Sequence, residues 1–209
     1  MNQGRVGVDE SGKGDFFGPL VVAACYVGPE HYAELEGVKD SKKLTDLQAL
    51  ALAEKIKKVC PHSVILMNPV KYNELYLKIK NLNHLLAWGH AQAIENVLEK
   101  QPADLIISDQ FAAGGNVVKS KLKELGRQAQ FVSRVRAESD LAVAAASILA
   151  RAEFLKRLKG LSQEFGIDLP KGATNVIGTG KRFVQMHGAE NLGKVAKMHF
   201  KTSGQVLEG

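Results

Sequence analysis

The chain has 209 residues, 45% of them hydrophobic and 24% charged. It is long enough to bury a core and too evenly mixed to be disordered or fibrous. No stretch reaches the roughly 18 consecutive apolar residues of a membrane span. The net charge of +6 is unevenly placed: residues 1–113 carry 12 Lys and Arg against 14 Asp and Glu, and residues 114–209 carry 16 against 8. The basic second half is either well solvated or suited to a polyanion such as nucleic acid.

The N-terminus, Met1-Asn-Gln-Gly-Arg5, runs straight into a strand-like segment with no visible signal peptide. Val6 and Val8, then Leu20 to Val27, read as two strands joined by the turn Ser11-Gly-Lys-Gly-Asp15. Thr45 is placed to cap a helix running to about Val59. His62 to Met67 is a β-rich run stopped by Asn68-Pro69. A helix is predicted from about Asn81 to Lys100, with Leu82, Leu85, Leu86, Gly89, Ala93 and Val97 on one face. Asp104 to Ser108 reads as a short buried strand, followed by a helix near Val117–Leu125 and a strand at Ala129–Val135. Ser139 or Asp140 opens an Ala-rich helix. Residues 166–180 read as a surface loop, and a last helix begins near Lys181. With no repeat or linker, the expectation is one α/β domain over residues 1–209 with a mixed sheet. Cys25 and Cys60 suggest a reducing compartment, hence the cytoplasm. Nothing marks an obligate protein partner.

Chemistry concentrates in acidic residues at element ends. Asp9 and Glu10 stand just before the glycine turn. In a regular strand they would point to opposite faces, and both reach one site only if the strand ends there. Gly12 and Gly14 supply a sharp exit. Alone, this pair reads at least as readily as a hairpin with solvated charges. Asp109 ends the apolar run Leu105-Ile-Ile107, where open α/β sheets build their sites or where a strand simply stops. Glu138 and Asp140 flank the start of the Ala-rich helix, and either can serve merely to complement the helix dipole. Several carboxylates gathered at strand ends would repel one another unless cations sit between them, and hard oxygen ligands suit Mg²⁺ or Mn²⁺.

Six segments carry a resemblance. Asp9-Glu-Ser-Gly-Lys-Gly-Asp-Phe-Phe-Gly-Pro19, Asp40-Ser-Lys-Lys-Leu44, Asp109-Gln-Phe111, Ala137-Glu-Ser139 with Ala144-Ala-Ala-Ser-Ile-Leu-Ala150, and Val195-Ala-Lys-Met-His-Phe200 resemble the type 2 ribonucleases H, in order over nearly the whole chain. Within that group the chain looks most like ribonuclease HIII. Ribonuclease HII usually shows Gly-Arg-Gly where this chain has Gly12-Lys-Gly14, and Asp where it has Glu138. Ribonuclease HII also carries a junction-reading Tyr in a late loop, whose counterpart here, Leu169 to Ala173, has none.

The resemblance implies a ribonuclease H-like fold: a five-stranded mixed sheet flanked by helices, with C-terminal helices. It implies hydrolysis of the RNA strand of RNA·DNA hybrids by a two-metal-ion mechanism, leaving a 5′-phosphate and a 3′-hydroxyl. Asp9, Glu10, Asp109 and Glu138 are implied as catalytic metal ligands for Mg²⁺ or Mn²⁺, with two ions once substrate is bound. Gly12, Lys13 and Gly14 are implied contacts to the sugar-phosphate backbone. Ser41, Lys42 and Lys43 are either phosphate contacts or part of a solvated turn. The alternatives are a ribonuclease HII-type enzyme cutting at single ribonucleotides and a non-catalytic hybrid-binding module. Typical ribonuclease HIII proteins carry an extra N-terminal substrate-binding domain, whereas here Asp9 stands almost at the first residue. His84, Trp88 and His90 read as packing or surface groups. Lys181, Arg182, Lys194 and Lys197 read either as backbone contacts or as solvated helix charges.

Overall fold

The computed structural model describes residues 4–38, 44–109 and 116–208. It partitions into two compact units, each built from three chain segments. The first holds Met1–Glu10, Val22–Ile65 and Asn81–Ala152, and the second Ser11–Val21, Leu66–Lys80 and Glu153–Gly209.

The strands β1 (Arg5–Ser11), β2 (Leu20–Val27), β3 (His62–Met67), β4 (Leu105–Asp109) and β5 (Gln130–Arg134) form one sheet in the order β3-β2-β1-β4-β5. The expected five-stranded mixed sheet with flanking helices is therefore present. All eight residues of β2 are buried, which accounts for its unbroken apolar run. β1 lies in the middle and runs parallel to β4 in the register Val6↔Ile106, Gly7↔Ile107, Val8↔Ser108. β4 in turn runs parallel to β5, with Asp109 opposite Arg134.

In the first unit, α1 (Asp46–Val59) starts where Thr45 predicts. The Thr45 hydroxyl accepts from the Gln48 amide and the Gln48 side chain accepts from the Thr45 amide. In α3 (Leu82–Leu98) the expected stripe is buried at Leu85, Leu86, Gly89, Ala93 and Val97. Burial also extends to Ala87, His90, Ala91, Ile94, Glu95 and Leu98. The single helix expected near 117–125 is instead two short ones, α4 (Asn116–Lys119) and α5 (Glu124–Gln128). The cause is Glu95: its buried carboxylate accepts from the amides of Lys123, Leu125 and Gly126, so a new helix begins there. A 3-10 turn, Ala137–Ser139, then leads into α6 (Leu141–Phe165), which passes from the first unit into the second.

The second unit holds a helix that the sequence reading missed, α2 (Pro69–Ile79). Asn68-Pro69 reads as a stop for β3, and it is equally a start. The Asn68 side chain accepts from the Lys71 amide, and Pro69 occupies the first turn, where its missing N–H costs nothing. α7 (Ile177–His187) begins inside the segment expected to be loop, and α8 (Lys201–Leu207) follows it. Gly180 lets α7 approach the Val206 side chain of α8. Among the described residues no helix is long and apolar enough to cross a membrane.

One close approach fixes where the site can form. A Cβ on Gly7 would fall on the backbone of Ala142 and Val143, so the start of α6 lies directly on β1 at that residue. Gly7→Ala should therefore destabilise the protein by about 1–3 kcal/mol, as overpacking at a closed contact does. Thermal unfolding of the variant checks this, and an unchanged Tm would contradict the packing.

Candidate active site

Asp9 and Glu10 lie near the C-terminal end of the central strand, both partly buried. β1 runs on to Ser11, so the two side chains leave on alternate faces, yet their carboxylates stay close enough for the charge of Glu10 to raise the Asp9 pKa. Asp9 projects from the same face as Gly7, the face covered by α6. Its carboxylate is hydrogen-bonded to Ser147 of α6 and accepts from the Glu10 amide at 2.8 Å. Glu10 projects from the other face, where its Oε2 lies 2.9 Å from Nε2 of His90 on α3. His90 is fully buried, and its Nδ1 is 3.5 Å from Oγ of Ser108 in β4. It is neither a surface group nor simple packing; it orients a carboxylate. The signal was available in the sequence, because His90 falls four residues from both Leu86 and Ile94 on an otherwise apolar face. Ser147 is the corresponding lone hydroxyl within the run of Ala residues.

Asp109 ends β4. One step along the register that pairs Val8 with Ser108 sets Asp9 beside Asp109, at the ends of neighbouring parallel strands and on one face. The Asp109 carboxylate accepts from the amide of Ala137 at 3.1 Å, which draws in the 3-10 turn bearing Glu138. Asp140 has a different role. Its Oδ1 accepts from the Ala142 amide at 2.9 Å, capping α6, and its Oδ2 lies 2.7 Å from Nε of Arg5.

Burial, with the charge of Glu10 second, pushes the Asp9 carboxyl up to about 7. A carboxylate so placed is stabilised by a cation, and oxygen ligands of this kind suit a hard divalent ion. Among the described residues no three His, Cys, Asp or Glu side chains form a ready-made cage. The residues present fit an ion held by one or two carboxylates that completes its shell with water and substrate phosphate, which is the habit of Mg²⁺.

The glycine turn belongs to the second unit. Gly12 has φ +88°, and a Cβ there would meet the carbonyl of Pro19, so the turn requires glycine at this position. Lys13 is partly exposed and Gly14 is exposed. Lys197 is not a solvated helix charge: it has no exposed surface, and burial pulls its pKa down to about 7 against the opposing pull of Asp15. Ser41, Lys42, Lys43, Gln110 and Phe111 lie outside the described residues.

The Asp9 shift has a consequence for stability. The folded-state value lies above the ordinary carboxylate value, so the fold favours the protonated form. That contribution is complete below about pH 4 and is lost as pH rises through about 7. Asp9→Asn should therefore raise the Tm of the metal-free protein by several degrees near pH 8 and by clearly less near pH 5. Added Mn²⁺ should raise the Tm of the wild type at pH 8 and that of the variant less. An equal gain for Asp9→Asn at both pH values would contradict a buried, charge-disfavoured carboxyl.

Comparison with known proteins accords with this geometry. Residues 6–203 match the Ribonuclease HII family. The Ribonuclease HIII of Protochlamydia amoebophila is 47% identical over 206 residues, 97% of this chain and 68% of the relative. That of Chlamydia felis is 44% identical over 209 residues, 98% and 70% of the two chains. The solved structure of Bst-RNase HIII in complex with Mn²⁺ superposes with a TM-score of 0.92 at 32% identity, covering 99% of this chain and 70% of the other. The ribonuclease H2 of Pyrococcus horikoshii OT3, 23% identical, shares the fold at a TM-score of 0.82 and covers 98% and 97%. The chain belongs to the ribonuclease HII family, alongside the proteins named ribonuclease HIII, and is a metal-dependent ribonuclease H.

Proposed function

We propose that the chain is an endonuclease that hydrolyses the RNA strand of RNA·DNA hybrids, leaving a 5′-phosphate and a 3′-hydroxyl, with residues 1–209 acting as one catalytic domain. The observation that carries this reading is the parallel register ending at Val8↔Ser108, which leads Asp9 and Asp109 out together at neighbouring strand ends, with Asp9 buried where its charge is disfavoured. The family match runs through both compact units, which supports a single catalytic domain.

Asp9, Asp109, Glu10 and Glu138 are the proposed ligands for Mg²⁺ or Mn²⁺. Bound there, two such ions activate water and neutralise the leaving oxygen of a phosphodiester. Asp9 and Asp109 present oxygens from one face of the sheet. His90 fixes the direction of Glu10, and Ala137 ties the turn carrying Glu138 to Asp109. Gly12, Lys13 and Gly14 are proposed to grip the sugar-phosphate backbone, including the 2′-hydroxyl that marks RNA. Ser41, Lys42 and Lys43 are proposed to add phosphate contacts. The two cysteines, free and buried, accord with a cytoplasmic setting.

Four measurements test the reading. Cleavage should vanish in excess chelator and return with Mg²⁺ or Mn²⁺, and Asp109→Asn should lose at least about 100-fold in rate. Glu138→Gln should abolish cleavage with little change in Tm. Asp140→Ala should cost about 1 kcal/mol as a lost cap and keep most activity. The reverse pattern would exchange the two assignments.

The match to a family named for ribonuclease HII favours one competing reading, incision at single ribonucleotides in DNA. The loop from Leu169 to Ala173 has no Tyr to read such a junction. A tract of four ribonucleotides should therefore be cut faster than a single one in the same duplex. Equal or faster cutting of the single site would favour the competitor.

A further inference from the structure

The second unit spends a buried cation on a turn. Lys197 follows the 3-10 segment Ala189–Lys194, and its ammonium donates to two main-chain carbonyls, those of Asp15 at 2.7 Å and Gly18 at 2.8 Å. The ring of Tyr72 lies beneath it, 5.8 Å from Nζ to the centroid. Main-chain bonds stitch the same strip: the Lys197 amide donates to Phe16 O, the Gly18 amide to Val195 O and the Phe16 amide to Gly172 O. The Asp15 carboxylate accepts from the Gly172 amide at 2.6 Å.

A buried ammonium is an expensive way to fill space, since desolvation opposes it and a methionine would occupy much the same volume. Its chemistry suits something an apolar side chain cannot do. The carbonyls of Asp15 and Gly18 both turn inward, and each would be an orphaned acceptor without a donor between them. The turn is also anchored at Gly12, φ +88°, and Gly18, φ +83°, conformations that fix its path at both ends. The ammonium therefore sets the direction of the peptide groups between these glycines, and Lys13 and Gly14 are carried on that stretch.

We propose that Lys197 is a positioning residue for substrate: it holds the shape of the turn from Gly12 to Gly18 so that Lys13 meets the sugar-phosphate at the cut in one fixed geometry. This rests on reading Gly12, Lys13 and Gly14 as substrate contacts. Lys197 touches no substrate; it acts through the turn.

The test is a double-mutant cycle on cleavage of an RNA·DNA hybrid at one fixed Mn²⁺ concentration, comparing the wild type, Lys13→Ala, Lys197→Met and the double variant. Lys197→Met should lower kcat by about 10- to 100-fold, the scale of a misplaced reacting group, and leave KM within about threefold. The double variant should be about as slow as the slower single one, because each change removes the same positioned contact. Losses that multiply, or a Lys197→Met enzyme with wild-type kcat, overturn the proposal while leaving the substrate reading intact. A Lys13→Ala enzyme as fast as wild type overturns both. Should Lys197→Met fail to fold, Asp15→Ala loosens the same turn from the Gly172 side. It should show the same non-additivity with Lys13→Ala, and multiplying losses would again refute the idea.

Discussion

A carboxylate at the end of a buried strand must either keep its proton or be matched by positive charge, and much of the first unit is arranged around that requirement at Asp9. β1 occupies the middle of the sheet, so its end is walled by neighbouring strands. α6 rests on Gly7 two residues earlier on the same face, which closes off water and supplies the Ser147 hydroxyl. Parallel pairing with β4 then brings a second acid, Asp109, to the same level. Burial and the nearby charge of Glu10 raise the cost of a bare negative charge there by more than the Ser147 hydroxyl and the Glu10 amide lower it, and a divalent cation would offset the difference.

The other buried charges of the protein are resolved differently. Glu95 spends its carboxylate on three amides at the start of α5, and Lys197 spends its ammonium on two carbonyls. Asp140 is answered by Arg5 and by the Ala142 amide. These groups are satisfied by the chain itself and so serve its shape. Asp9 receives a hydroxyl and one amide and is still left with its charge disfavoured. That inequality separates acids that build the fold from Asp9, the acid proposed to hold a metal ion.

Much of this was legible in the sequence because periodicity and local signals agreed. β2 showed as an unbroken apolar run, α1 as a capping box, α3 as a stripe, and the acids by their places at strand and helix ends. What failed to show depended on contacts distant in sequence. The break between α4 and α5 is dictated by Glu95, some 30 residues earlier. α2 was hidden because Asn68-Pro69 serves as a stop and a start alike. Lys197 looked like any helix lysine, since nothing local reveals that it faces the carbonyls of Asp15 and Gly18. His90 lay on an apolar face, yet only the fold shows that Glu10 stands across from it.

The pairing of Val6 with Ile106 spans 100 positions of chain, and this bears on how the enzyme comes into being. During synthesis β1 is made well before its partner β4, bearing Asp9 and Glu10 and followed at once by the wholly apolar β2. Neither has its final neighbours until β4 and the start of α6 leave the ribosome. Closing a loop of that size is slow compared with local pairing, so β1 and β2 wait with apolar surface uncovered until β4 and α6 follow. Each compact unit needs its third segment before it is complete. Asp9 thus gains Asp109 and Ser147 as neighbours only after 100 or more further residues have been joined to it.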